Sequence, residues 1–147
     1  MGRFRKKARE IALRTLYTYD ILGTDADIYE ILEYHIKDVR NHLSEKTIEY
    51  AYNIVKGVKE HLSEIDHLIK KHLKNWRFER IGYIERALLR IGTYELVFAN
   101  VEDKGRVFMD ILDLTDCYLN SQDSIRFING VLSAILKDTK EKEEVSN

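Results

Sequence analysis

The chain has 147 residues, 44% of them hydrophobic and 33% charged, with a formal net charge of −1. That length suits one globular domain, spanning 1–147, whose core buries roughly two-thirds of the unfolded surface. No run of 18 apolar residues and no leading apolar segment occurs, and Cys117 is the sole cysteine, so a membrane span, a secretory signal and a disulfide framework are not expected and a cytoplasmic location is.

Proline is absent and glycine numbers only seven, a pattern that suits long helices better than sheets with tight turns. Apolar residues recur at helical spacing along nearly the whole chain. Ala8, Ile11, Ala12, Thr15, Tyr19 and Leu22 form a first stripe that Gly23 ends. Asp25 or Asp27 caps a second helix with Ile28, Ile31, Leu32, Ile36 and Val39 inward. Ser44 reads as the cap of a third, carrying Ile48, Ala51, Val55, Val58 and Leu62. Ser63 with Asp66 resembles a capping box opening a fourth helix. A long central helix is predicted from about Phe78 to Phe98, apolar over a broad arc through Ile81, Ile84, Leu88 and Ile91. A sixth helix carries Val107, Ile111, Leu114 and Tyr118, and a seventh carries Ile125, Ile128, Val131, Leu132 and Ile135. From about 138 to 147 the chain is polar and is expected to fray. The expected fold is all-α, with about seven helices.

Charge is unevenly placed. Residues 1–14 hold Arg3, Arg5, Lys6, Lys7, Arg9 and Arg14 against Glu10 alone. A basic arm, 1–9, on an acidic body is either a solubilising terminus or a polyanion contact, because arginine forks match phosphate oxygens and neutralising phosphates releases counterions. RNA, DNA and an anionic membrane all fit, the membrane least, since the first helix needs its apolar stripe for the core. At 100° per residue, Leu13 and Tyr17 fall together on the side away from that stripe. They are either a partner anchor or a patch covered by another helix of the chain.

Catalytic signatures are missing. There is no glycine-rich phosphate loop and no His-Glu-x-x-His, and no two of the five histidines stand three or four apart, so no metal or cofactor is expected. Cys117 reads as an inert thiol. Asp110, Asp113 and Asp116 share a helix side, as a metal site or, far more simply, as a solvated acidic face. Arg90 is expected to pair with Glu95. In the last helix Phe127 lies about 100° from the core direction, with Asp123 one turn before it. Phe127 is either peripheral core or a platform for an unpaired base; Asp123 is either a helix cap or an acceptor for a base edge.

Three blocks carry a resemblance. Lys7-Ala8-Arg9-Glu10 with Leu16-Tyr17, then Ile84-Glu85-Arg86-Ala87 leading to Tyr94-Glu95-Leu96, then Asp123-Ser124 with Phe127-Ile128-Asn129-Gly130-Val131-Leu132, resemble the NusB family in order and spacing over nearly the whole chain. The resemblance implies two packed helical bundles around the central helix. It implies a non-enzymatic transcription antitermination factor that binds the single-stranded boxA RNA of ribosomal RNA operons. It further implies the ribosomal protein NusE and transcribing RNA polymerase with other Nus factors as partners, and a homodimer in some relatives. Residue by residue it assigns Arg3, Arg5, Lys6, Lys7, Arg9, Asp123 and Phe127 to RNA, and Leu13, Tyr17 and Glu85 to the protein partner. Phe4 interrupts the basic run, and Val107-Phe108-Met109-Asp110 departs from the family's usual Asn-Glu-Ala. The alternative class is a helical protein-interaction module whose basic arm meets an acidic partner.

Overall fold

The computed structural model describes the backbone of residues 3–23 and 25–146. Seven helices follow in order: α1 (Arg3–Leu22), α2 (Ile28–Lys37), α3 (Glu45–Glu60), α4 (Leu62–Lys71), α5 (Tyr83–Thr93), α6 (Lys104–Leu119) and α7 (Gln122–Ser146). No strand occurs among the described residues. Local chemistry sets the boundaries. Gly23 ends α1 at φ +98°, where a side chain would be strained. Asp27 caps α2 by accepting from the Tyr29 amide at 2.9 Å, and Ser44 caps α3 by accepting from the Thr47 amide at 3.1 Å. Asn120 closes α6 in the left-handed region at φ 46°. Ser121, rather than Asp123, caps α7, its hydroxyl accepting from the Ser124 amide at 3.1 Å.

Four sequence expectations change. The Ser63–Asp66 capping box does not form, because α4 begins at Leu62 and Asp66 turns to Arg90. The central helix is shorter than 78–98: a 3₁₀ turn at Phe78–Arg80 and a break at Ile81-Gly82 precede α5, which then loosens into one π-turn at Tyr94–Phe98. The basic segment is helical from Arg3 onward, because nothing before Gly23 breaks a helix. Phe4 pins its first turn edge-on to Tyr50 of α3, ring centroids 6.0 Å apart. The helical backbone of α7 runs well past 138, and Asp138 accepts from Lys71 at 3.1 Å, tying α7 to α4.

α5 is the shared centre, packed against α1, α3, α4, α6 and α7, while α1 leans on α2 and α3. Ala8, Leu16, Leu32, Val55, Leu88, Ile91, Ile111 and Leu132 belong to one contiguous buried cluster that joins both groups of helices. α5 and α7 approach closely because position 92 is glycine: a Cβ there would lie 2.7 Å from Leu132 Cδ1. Two arginines of α5 tie it to its neighbours. Arg86 donates to Asp20 at 2.7 Å and to the Phe78 carbonyl at 3.0 Å, and Arg90 donates twice to Asp66, both at 2.9 Å.

The core also holds charge. Arg9, Glu95 and Asp110 are 1%, 1% and 2% exposed. Arg9 donates to Glu95 through Nε at 2.5 Å and Nη2 at 2.9 Å, and to Asp110 through Nη1 at 2.7 Å. The Tyr50 hydroxyl also donates to Glu95, at 2.5 Å. Burial and the Glu95 carboxylate raise the Tyr50 pKa. Burial alone would lower that of Arg9, but its bonds to Glu95 outweigh this and raise it. This cluster corrects three expectations. Arg9 is not available to RNA, Glu95 pairs with Arg9 rather than Arg90, and Asp110 is not part of a solvated face.

Candidate nucleic-acid and partner interface

The turn before α5 and the start of α7 meet around a cavity of about 210 Å³. Phe127 and Asp123 come from α7, Glu85 from α5, Arg80 from the 3₁₀ turn and Trp76 from the preceding loop. Phe127 is half-buried, its ring edge toward Trp76 with centroids 6.0 Å apart at 62°. Asp123 is exposed at the rim and pairs with Arg126 one turn on. The cavity therefore offers two aromatic rings, the Arg80 cation and the carboxylate acceptors of Asp123 and Glu85 together, the equipment that reads an unpaired base beside its phosphate.

Periodicity pointed to Phe127 and Asp123 and missed Trp76 and Arg80. The signal available was a lone tryptophan in a polar stretch, Lys74-Asn75-Trp76-Arg77, with no apolar stripe to absorb it. The structure separates Glu85 from the expected partner anchors and lines the Phe127 cavity with it.

A second depression, about 440 Å³, lies between α1, α2, α5 and α6. Leu13 and Ile84 contribute apolar lining, and Arg14, Tyr17, His35 and Tyr118 surround them. Leu13 is 1% exposed, so it is core covered by other helices and not the partner anchor that the resemblance implies. Ile84 and the neighbouring helices cover the arc that a lone helix would leave open. Tyr17 is 38% exposed and meets exposed Tyr83 edge-on, with centroids 6.2 Å apart.

The second depression and the basic segment share the α1–α6 seam. Lys6 donates to Asp113 at 3.3 Å. Farther along, Tyr118 donates to Glu10 at 2.7 Å and accepts from Arg14 at 3.0 Å. Burial works against ionising Glu10, yet the Tyr118 bond and Lys7 bring its pKa below the ordinary value. From Tyr118 only the short α6–α7 turn separates the seam from Asp123. Arg3, Arg5, Lys6 and Lys7 are exposed; Arg5 lies over the Phe4 ring at 4.7 Å, and Lys7 pairs with Glu10 at 3.3 Å. Among the described residues, no group of three or more histidine, cysteine or acidic side chains is placed to hold a metal ion. No helix among them is long and apolar enough to cross a membrane.

Comparison with known proteins gives a consistent relationship. The NusB family model matches residues 6–137. The transcription antitermination protein NusB of Persephonella marina is 63% identical over 138 residues, covering 94% of this chain and 96% of that protein. The NusB of Aquifex aeolicus is 41% identical over 144 residues, covering 97% and 95%. A crystal structure of the antitermination factors NusB and NusE in complex with double-stranded RNA matches at a TM-score of 0.84 and 38% identity, covering 94% of this chain and 99% of that one.

Proposed function

The chain belongs to the NusB family, and on that premise we propose that it is a non-enzymatic transcription antitermination factor. It binds the single-stranded boxA RNA of ribosomal RNA operons together with the ribosomal protein NusE, and acts in the cytoplasm on transcribing RNA polymerase with other Nus factors. One observation carries this reading: Phe127, Trp76, Arg80 and Asp123 line one cavity, and the α1–α6 seam bordered by exposed Arg3, Arg5, Lys6 and Lys7 leads through Tyr118 and the short α6–α7 turn to the helix that carries Asp123 and Phe127. The cations supply sequence-independent attraction to phosphate, and the cavity supplies contact with a base. Arg9 has no part in the RNA contact, since its guanidinium is spent on Glu95 and Asp110.

The protein partner docks on the groove beside Tyr17 and Tyr83, where apolar floor and polar rim alternate as they do in interfaces. Arg14 and Tyr118 border both the groove and the seam, so RNA and partner surfaces adjoin and each occupant helps to hold the other. Glu85, two residues from Tyr83 and so turned about 200° from it on α5, lines the Phe127 cavity and belongs to the RNA side of that boundary.

The test is a filter-binding titration of boxA RNA and a scrambled RNA of equal composition, with and without NusE. The reading predicts tighter binding of boxA and a further gain when NusE is present. Equal, weak retention of both RNAs alongside tight NusE binding would make the chain a protein-interaction module instead.

A further inference from the structure

Trp76 is the sole tryptophan of the chain, and it is 62% exposed. It stands in a loop between α4 and the 3₁₀ turn, outside every apolar stripe. A ring of this size in water is unfavourable unless something covers it. Among the described residues its aromatic neighbour is Phe127, and most of the ring stays open.

The geometry decides how a ligand would sit. A base sandwiched between two rings needs them parallel and about 7 Å apart, twice the ~3.5 Å contact distance. Here the planes stand at 62° with centroids 6.0 Å apart, so nothing enters between them. The two rings form a corner instead. A flat group laid on the free face of Trp76 has the Phe127 side of the cavity as a wall. The cavity of about 210 Å³ is on the scale of one ring rather than two, since a cavity of about 150 Å³ holds a benzene. Arg80, which also lines the cavity, is a fork for the phosphate that accompanies that base.

We propose that Trp76 is the stacking platform of this site, taking one unpaired nucleobase of single-stranded RNA on its exposed face, with Phe127 as the side wall and Arg80 on the adjoining phosphate. The proposal rests on the RNA-binding reading above and adds a residue to it. Arg86 donates to the Phe78 carbonyl and Arg90 lies over the Phe78 ring, so the turn that carries Arg80 is braced before RNA arrives.

Tryptophan emission tests this directly, because Trp76 is the only source of it. Single-stranded boxA RNA is titrated into the full chain, and binding is followed in parallel by filter retention, which does not depend on the fluorophore. The expected result is quenching whose midpoint matches the filter curve. Trp76→Ala is expected to weaken binding about 5- to 150-fold, the range for loss of one stacked base, with Trp76→Phe recovering most of it. The exposed position makes a folding defect in Trp76→Ala unexpected, and a thermal melt checks this. RNA retained on the filter with unchanged tryptophan emission and an unimpaired Trp76→Ala variant overturns the platform while leaving the RNA reading intact. No retention of any RNA by the wild-type chain overturns both. Emission that responds to NusE but not to RNA assigns the ring to the protein partner and overturns the platform.

Discussion

Replacing Arg9 with alanine separates a core role from a binding role. Among the described residues, the substitution removes the one guanidinium paired with Glu95 and Asp110 in the core, two carboxylates that are 1% and 2% exposed. Breaking a buried ion pair from one side costs about 3–5 kcal/mol, because the remaining charge is left desolvated and unpaired. Against a total stability of about 5–15 kcal/mol this is a large share. With an m-value of about 2 kcal/mol/M in urea, the unfolding midpoint falls by roughly 1.5–2.5 M. Lys6→Ala is the control. It removes a cation three residues away that pairs with exposed Asp113, and costs under about 1 kcal/mol. Arg9→Lys keeps the charge but loses the fork, and falls between the two. Urea unfolding followed by circular dichroism reads all three. If Arg9→Ala leaves the midpoint in place and instead weakens RNA binding, the buried network is wrong and the segment presents Arg9 to solvent.

Other outcomes follow from the same structure. Gly92→Ala places a Cβ 2.7 Å from Leu132 Cδ1 and is expected to cost about 1–3 kcal/mol in a thermal or urea melt. Gly130→Ala, on an exposed turn of α7 with no atom within 4 Å of the new Cβ, is expected to stabilise by about 0.5–1 kcal/mol. His35 has its pKa lowered below the ordinary 6.5 by burial first and the charge of Arg14 second. The unfolded chain therefore takes up that proton at a higher pH than the folded chain, and stability declines as pH falls below about 6.5. His35→Gln should flatten this limb in melts run across pH 7 to 5, and an unchanged limb would remove His35 as its cause.

Much of this fold was legible as periodicity. The inward stripes, the end of α1 at Gly23 and the caps at Asp27 and Ser44 depend on local chemistry that short windows of sequence carry. What escaped depends on how many neighbours a helix has. The stripe of α1 gives the centre of its buried face but not the width of that face. Arg9 lies about 110° and Leu13 about 150° from that centre, and both are buried because α2, α3, α5 and α6 surround the helix on several sides. The choice of ion-pair partners was equally hidden. Glu95 finds Arg9, and Arg90 finds Asp66, across 86 and 24 residues of chain. Trp76 lies in an aperiodic loop, so only its chemistry marked it, and the cavity became visible when α7 and the turn before α5 were placed side by side.

The central claim is that exposed cations of α1 and the Phe127 cavity hold one RNA strand in two different ways. RNA affinity measured across a range of salt concentrations tests it, using the wild-type chain, a variant with Arg3, Arg5, Lys6 and Lys7 all changed to alanine, and Phe127→Ala. The account predicts that the fourfold variant loses salt dependence, by up to about 0.7 in logarithmic slope for each phosphate contact removed. It predicts that Phe127→Ala weakens binding at every salt concentration without changing the slope. An unaltered slope in the first variant together with unaltered affinity in the second would contradict it.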